Sequence, residues 1–242
     1  MVDYVERTYR NYSGTEGLVS FIVTNNETDL FISARQDLGT RAADAVELAR
    51  SIINRQIDLN PQFQHSLKPL SLEQDVPDMI QKMLQAGIDT GVGPMAAVAG
   101  AVAEFTGNEL LAFSDEVIVE NGGDVFYKMN RPVTISIFAG SSPLSERIGL
   151  RLPSEPVPVA LCTSSGRIGH SLSFGSADAV TIKSHSACLA DAAATAIGNE
   201  VKSDADIASA IDKAGAINGV LGVLIIRGEH IGIWGDLELL KL

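Results

Sequence analysis

The chain has 242 residues, 45% of them hydrophobic, enough to bury a full core as one large domain or as two intimately packed α/β lobes. Its 30 acidic against 18 basic residues give a formal charge of -12, and no Lys/Arg cluster interrupts that balance, which excludes a nucleic-acid partner held by a basic footprint. Two cysteines, Cys162 and Cys188, lack metal-ligand spacing and read as buried small hydrophobes in a reducing compartment.

The chain opens on Met-Val-Asp-Tyr-Val-Glu-Arg, charged from Asp3, with no apolar signal core. No apolar run reaches membrane-spanning length, the nearest being 95–103, so a cytoplasmic protein without a membrane partner is expected. Residues 18–24 and 28–34 flank Asn25-Asn26-Glu27 as a strand-turn-strand signal. Residues 40–58 carry Ala43, Val46, Leu48, Ala49, Ile52 and Ile53 at helical spacing. A polar, Pro-containing stretch, 60–74, links this unit to two further helices at 77–86 and 94–105, the second with Pro94 as its first residue.

From Glu116 the pattern turns to strands at 117–119 and 125–127 around Asn121-Gly122-Gly123-Asp124, then at 133–138, 148–152, 157–161 and 179–182. A helix follows with Ser184 or Ser186 as N-cap, another covers 204–214, and 220–226 with 231–240 make a closing hairpin around Gly228-Glu229-His230. Ile231, Ile233 and Trp234 on that hairpin leave two readings open, pairing with a second copy in a homo-oligomer or completing the sheet. Strands in hairpins, mixed with helices but not in regular βαβ alternation, make the fold class α+β with largely antiparallel sheets covered by helices.

Four clusters carry chemistry. Ala190 to Ile197 places Asp191 and Thr195 four residues apart on an alanine helix, hence on one face. Two hard oxygen ligands there suit magnesium, which shares its remaining positions with waters and a phosphate; tight helix packing with a Thr bonded back into its own helix is the other reading. Gly91-Val92-Gly93-Pro94 reads either as a turn into a buried helix or as a set of exposed N–H groups for a phosphate. Asn121 to Asp124 has the residues of a tight hairpin turn. Thr163-Ser164-Ser165-Gly166-Arg167-Ile168-Gly169-His170 packs hydroxyls, glycines, an Arg and a His behind a strand, as a phosphate loop or a polar connector.

Taken in order, these clusters resemble the ApbE-like proteins, whose best-understood members are FAD:protein FMN transferases. Over its whole length the chain resembles a bacterial and archaeal family within that superfamily, through Glu27-Thr28-Asp29-Leu30, Val92 to Gly100, Glu120 to Asp124, Cys162 to Gly175 and Ala190 to Asn199. The resemblance implies a T-fold-like α+β architecture of largely antiparallel sheets, formed as one ApbE-like domain over 1–242 with a ligand cleft built from the clusters. It implies a flavin loop at Asp89, Thr90, Gly91 and Gly93, and further ligand contacts from Gly122, Gly123, Asp124, Thr163, Ser164, Ser165, Gly166 and His170. Magnesium would be held by Asp191, Thr195 and the backbone carbonyl of Asn121, with Asp191 and His170 as catalytic residues. The reaction implied is cleavage of the FAD pyrophosphate by a Thr or Ser hydroxyl of an acceptor protein, releasing AMP.

Two departures stand out. The transferases carry Lys-Gly where this chain has Ala99-Gly100, and a His-x-x-Asp-Pro segment where His170 is followed by Ser171-Leu172-Ser173-Phe174. Three other readings therefore stay open: a flavin or nucleotide binder without turnover, an accessory protein in anaerobic sulfur assimilation, with which the narrower family is associated, and a metal-independent hydrolase using Ser164 or Ser165 with His170. No nucleophile-elbow pattern supports the hydrolase.

Overall fold

The computed structural model describes residues 17–166 and 175–242. Two hairpin strands, β1 (Val19–Asn25) and β2 (Thr28–Ala34), turn on Asn26, whose φ of 52° is the left-handed conformation that Asn tolerates. Helix α1 (Gly39–Leu59) buries Ala42, Ala45, Val46, Ala49 and Ile53, a stripe at i, i+3, i+4, i+7 and i+11. The stretch expected as a linker holds one helical turn, α2 (Gln62–His65), pinned by the fully buried Phe63.

Helix α3 (Asp78–Thr90) runs four residues past the expected end, so Asp89 and Thr90 lie in its last turn rather than in a loop. It stops at Gly91, whose φ of 79° and N–H bond to the Gly87 carbonyl make a left-handed cap. Pro94 opens a 3-10 turn (Pro94–Ala97) and not the helix itself; α4 (Val98–Leu111) follows directly. Strands β3 (Val117–Asn121) and β4 (Asp124–Lys128) form the expected hairpin, with Gly122 and Gly123 at φ 67° and 114° as the two turn residues.

The chain then leaves this sheet for β5 (Val133–Ser136) and β6 (Ile148–Leu152), and returns as β7 (Val159–Ser164), β8 (Ala179–Ser184), α5 (Ala187–Glu200), α6 (Ile207–Ala216) and β9 (Val220–Arg227). The last expected strand is two. Strand β10 (His230–Gly235) breaks at Gly235, which has φ 82° and where a Cβ would lie 2.2 Å from the Leu221 carbonyl oxygen. Strand β11 (Glu238–Lys241) then crosses to pair with β6.

All pairings are antiparallel, in an eight-stranded sheet of order β1-β2-β3-β4-β7-β8-β9-β10 and a three-stranded sheet of order β11-β6-β5. Alternation along the strands makes three layers. Val117, Val119 and Phe126 face α1, α3 and α4; Cys162, Val180, Ile182, Val223 and Ile225 face α5 and α6. Ile118, Val125, Tyr127, Leu161 and Leu224 face the small sheet. The α+β class with antiparallel sheets and covering helices is thus the observed fold. Among the described residues no single helix is long and apolar enough to cross a membrane.

Candidate ligand and metal site

The site is built where α4 and α5 cross over the middle of the large sheet. Helix α5 is alanine-rich because it is enclosed on most sides, with Ala187, Ala190, Ala192, Ala193 and Ala194 buried; Ser186 caps its start by accepting from the Leu189 N–H at 3.3 Å. Gly100 lets the two helices touch: a Cβ there would stand 2.4 Å from the Ala187 carbonyl oxygen and 3.0 Å from Asp191 Cβ. Each helix caps the other. Asp191 Oδ2 accepts from the Gly100 N–H at 2.9 Å at the start of α4, and Glu104 Oε2 accepts from the Ala187 N–H at 2.7 Å at the start of α5. Lys82 on α3 pairs with the buried Glu104 at 3.0 Å.

The floor beneath this crossing is the seam between β4 and β7, where Asp124 stands opposite Cys162 and, across the hairpin, opposite Asn121. Asp124 is on the helix side of the sheet, in register with Phe126, and only 7% exposed. Its Oδ1 is buried with no hydrogen-bond partner. Burial drives Asp124 well above the usual carboxylate range, and the neighbouring Asp191 charge pushes the same way; the Cys162 thiol and Thr163 N–H partly offset them. Burial likewise pushes Asp191 up to about 7 against the stabilising N–H groups of Gly100 and Ala99. Two buried acids thus sit together, both raised by burial, without a basic side chain among the causes of either shift.

Other predicted residues lie along the same strands and along α5. Gly123 lies against Thr163, 3.4 Å from an added Cβ to its carbonyl oxygen, and Asn121 Nδ2 donates to the Ala99 carbonyl at 3.0 Å, tying the hairpin to the start of α4. Thr163 Oγ1 is 2.9 Å from Thr181 Oγ1, and Ser164 lies beside Gly198 of α5. Gly166 bonds to the Ala177 carbonyl at 2.9 Å. Thr195, 9% exposed, does not bond back into its helix, whereas Thr90 does, to the Ala86 carbonyl at 2.6 Å. The tight packing that an alanine helix allows is present at Gly100, alongside Asp191.

A match to the family model described as AbpE bacteria spans residues 10–221. The chain belongs to that family. A UPF0280 protein of Methanosarcina acetivorans is 38% identical over 214 residues, covering 86% of this chain and 83% of its own. A UPF0280 protein of Methanocaldococcus jannaschii is 39% identical over 207 residues, covering 83% and 84%. Among solved structures, the Pseudomonas stutzeri flavinyl transferase ApbE, apo form, shares 13% identity at a TM-score of 0.59, over 90% of this chain and 94% of that one. The ApbE protein of Thermotoga maritima gives 0.56 at 13% identity over 91% and 96%. At that identity the likeness is one of fold.

On this AbpE chain the expected flavin loop is placed differently from the other clusters. Asp89 is exposed and accepts from Gln85 Nε2 at 2.7 Å; Gly91 is a helix cap with nothing within 4 Å of an added Cβ. Gly93 is a packing glycine, 1.8 Å from an added Cβ to the Ser66 carbonyl oxygen. Helix termination and packing account for both glycines without a ligand. His170 and Arg167 lie outside the described residues. Among the described residues no three His, Cys, Asp or Glu side chains converge on one point, so Asp124 and Asp191 are a pair rather than a cage. A shallow hollow of about 480 Å³ lined by Leu72, Glu73, Gln74, Asp75 and Gln81 includes none of the site residues.

Three participants were missed from sequence: Gly100 as the helix contact, Glu104 as the reciprocal cap, and Cys162 as the neighbour of Asp124. Burial also pushes both cysteine thiols well above their ordinary range, which leaves them inert. For Gly100 a signal existed, a glycine four residues before a glutamate inside an otherwise alanine-rich helix. Cys162 had none, because pairing across β4 and β7 skips two intervening strands.

Proposed function

We propose that this AbpE protein binds a flavin nucleotide with a divalent cation and transfers FMN from FAD to a Ser or Thr hydroxyl of an acceptor protein. The observation that carries the reading is that Asp191, at the helix crossing, neighbours Asp124 of the Gly122-Gly123-Asp124 turn, with Thr195 one turn further along α5. The residues fit magnesium: carboxylate and hydroxyl oxygens are hard donors, and one buried carboxylate oxygen lacks any partner. Asp191 and Thr195 would hold the ion, whose chemistry when bound is to neutralise pyrophosphate charge. Hard cations favour the ionised form of a carboxylate, so an acid kept protonated by burial gives up its proton to solvent when such a cation binds.

The chain's own groups do the rest. Gly123, Thr163, Ser164, Ser165 and Gly166 line the ligand with backbone and hydroxyl groups, so an acidic protein holds phosphate without a basic patch. Asp191 keeps the start of α4 in place through the Gly100 N–H, which fixes the carboxylate's own direction. His170 would take the acceptor hydroxyl proton as that oxygen bonds to the FMN phosphorus and AMP departs. Residues 1–242 would act as one domain.

A binder without turnover is the second reading, favoured by one observation. Where the transferases carry Lys-Gly, Ala99 has no cation to offer and Gly100 is closed against Ala187, so no charged side chain reaches phosphate from this turn. Incubation with FAD, Mg²⁺ and a Ser/Thr acceptor peptide separates the two. AMP release with covalent flavin supports transfer; tight FAD or FMN binding without AMP supports the binder. A protein whose melting temperature ignores FAD, FMN and ATP, with or without Mg²⁺, overturns both.

A further inference from the structure

We infer that Asp124, on strand β4, is a direct carboxylate ligand of the cation, so that the metal bridges the sheet to helix α5. The inference rests on the metal site proposed above and changes its composition. Asn121, the third ligand the resemblance implies, uses its side chain on the Ala99 carbonyl, and its backbone lies between two ladder partners, Leu30 and Asp124. Asp124 is the better third donor. It is 93% buried, and Oδ1 meets no donor, in a part of the interior where carboxylate oxygens are almost always satisfied.

Its setting explains what is missing. Asp124 faces the helices from the same side of the sheet as Phe126, and the charges acting on it most are those of Asp191 and Glu120, both negative. A buried acid beside another acid ionises only with a cation at hand, and the charged side chains acting on it, Asp191 and Glu120, supply none. A divalent ion between Asp124 and Asp191 satisfies the orphan oxygen and turns the repulsion into shared coordination. Thr195, one helical turn after Asp191, adds a hydroxyl from the same face. The resulting set is all oxygen and carries two negative charges, which favours Mg²⁺ or Mn²⁺ over cations that seek nitrogen or sulfur.

Mn²⁺ binding by the full chain without nucleotide, followed by calorimetry and by loss of the free-ion paramagnetic resonance signal, tests this. Wild type should bind, and both Asp191→Asn and Asp124→Asn should weaken binding at least tenfold. Asp124→Asn should melt no lower than wild type in metal-free buffer, since it replaces a buried acid by a neutral side chain of the same shape, yet gain little melting temperature on adding Mn²⁺. If that variant does not fold, Asp124→Ser carries the same expectation. Wild-type affinity in Asp124→Asn alongside loss in Asp191→Asn overturns the inference and leaves the metal site standing. Absence of Mn²⁺ binding in wild type overturns both.

Discussion

Replacing Gly100 by Ala tests whether the crossing of α4 and α5 sets the site. The added Cβ would lie 2.4 Å from the Ala187 carbonyl oxygen, 2.9 Å from its carbon and 3.0 Å from Asp191 Cβ. The first of these is roughly 1 Å short of ordinary van der Waals contact, and two of the three neighbours are backbone, so the helices must part. Overpacking of this kind costs about 1–3 kcal/mol. Stretching the Gly100 N–H bond to Asp191 costs about 1–2 kcal/mol more. Alanine's better helix propensity returns about 1 kcal/mol. A net loss of roughly 1–4 kcal/mol lowers the melting temperature of a chain this size by about 2–16 °C. Differential scanning calorimetry measures it, and Mn²⁺ titration of the same sample should show weaker binding because Asp191 loses its anchor. Gly215→Ala in α6 is the control. Its Cβ would sit 3.4 Å from Trp234, in ordinary contact, so it should be neutral or slightly stabilising. If Gly100→Ala behaves like Gly215→Ala, the close helix crossing is not what holds Asp191.

The remaining expectations concern the polar groups. Burial raises Asp191 in the folded state to about 7, so the fold binds this proton more tightly than the unfolded chain does. Its contribution is therefore complete below about pH 4, the unfolded value, and is lost as pH rises through about 7, by ~4 kcal/mol at most. Asp191→Asn should flatten that fall in urea unfolding of the metal-free protein; identical pH profiles would refute the burial argument. Glu104→Ala leaves the Ala187 N–H without its acceptor and should cost about 2–4 kcal/mol in chemical denaturation. Glu104→Gln, whose amide oxygen still accepts, should recover most of it. Thr195→Val should change stability by less than about 1 kcal/mol, because no hydrogen bond is lost, while weakening Mn²⁺ binding; equal binding would remove Thr195 from the site.

Local chemistry made much of the fold legible. The Asn26 and Gly122-Gly123 turns, the Ser186 cap and the α1 stripe are each set by a few adjacent residues, and each stands where the sequence puts it. Errors arose where tertiary contact decides. Pro94 begins a 3-10 turn because Gly93 is pressed on Ser66, and the final strand divides because Gly235 is pressed on Leu221. The hairpin and the end of β7 lie against one another and Asp124 neighbours Asp191, while Asp89, Thr90 and Gly91 end α3 and Gly93 packs on Ser66. A glycine pair before a proline reads alike whether it faces phosphate or backbone. Nor does sequence spacing reveal that Asp124 and Asp191 are neighbours, since strand and helix are separated by the excursion through the small sheet.

That excursion has a kinetic consequence. Strands β1 to β4 form one run, its two hairpins joined by a β2–β3 ladder that closes over α1 to α4, and β7 to β10 form another with α5 and α6; among the described residues the β4–β7 ladder joins them within the large sheet. Asp124 and Gly100 belong to the first run, Cys162 and Asp191 to the second. Neither run alone brings the two acids together, so their repulsion arises only when the two runs join through long-range contacts, which slows that joining.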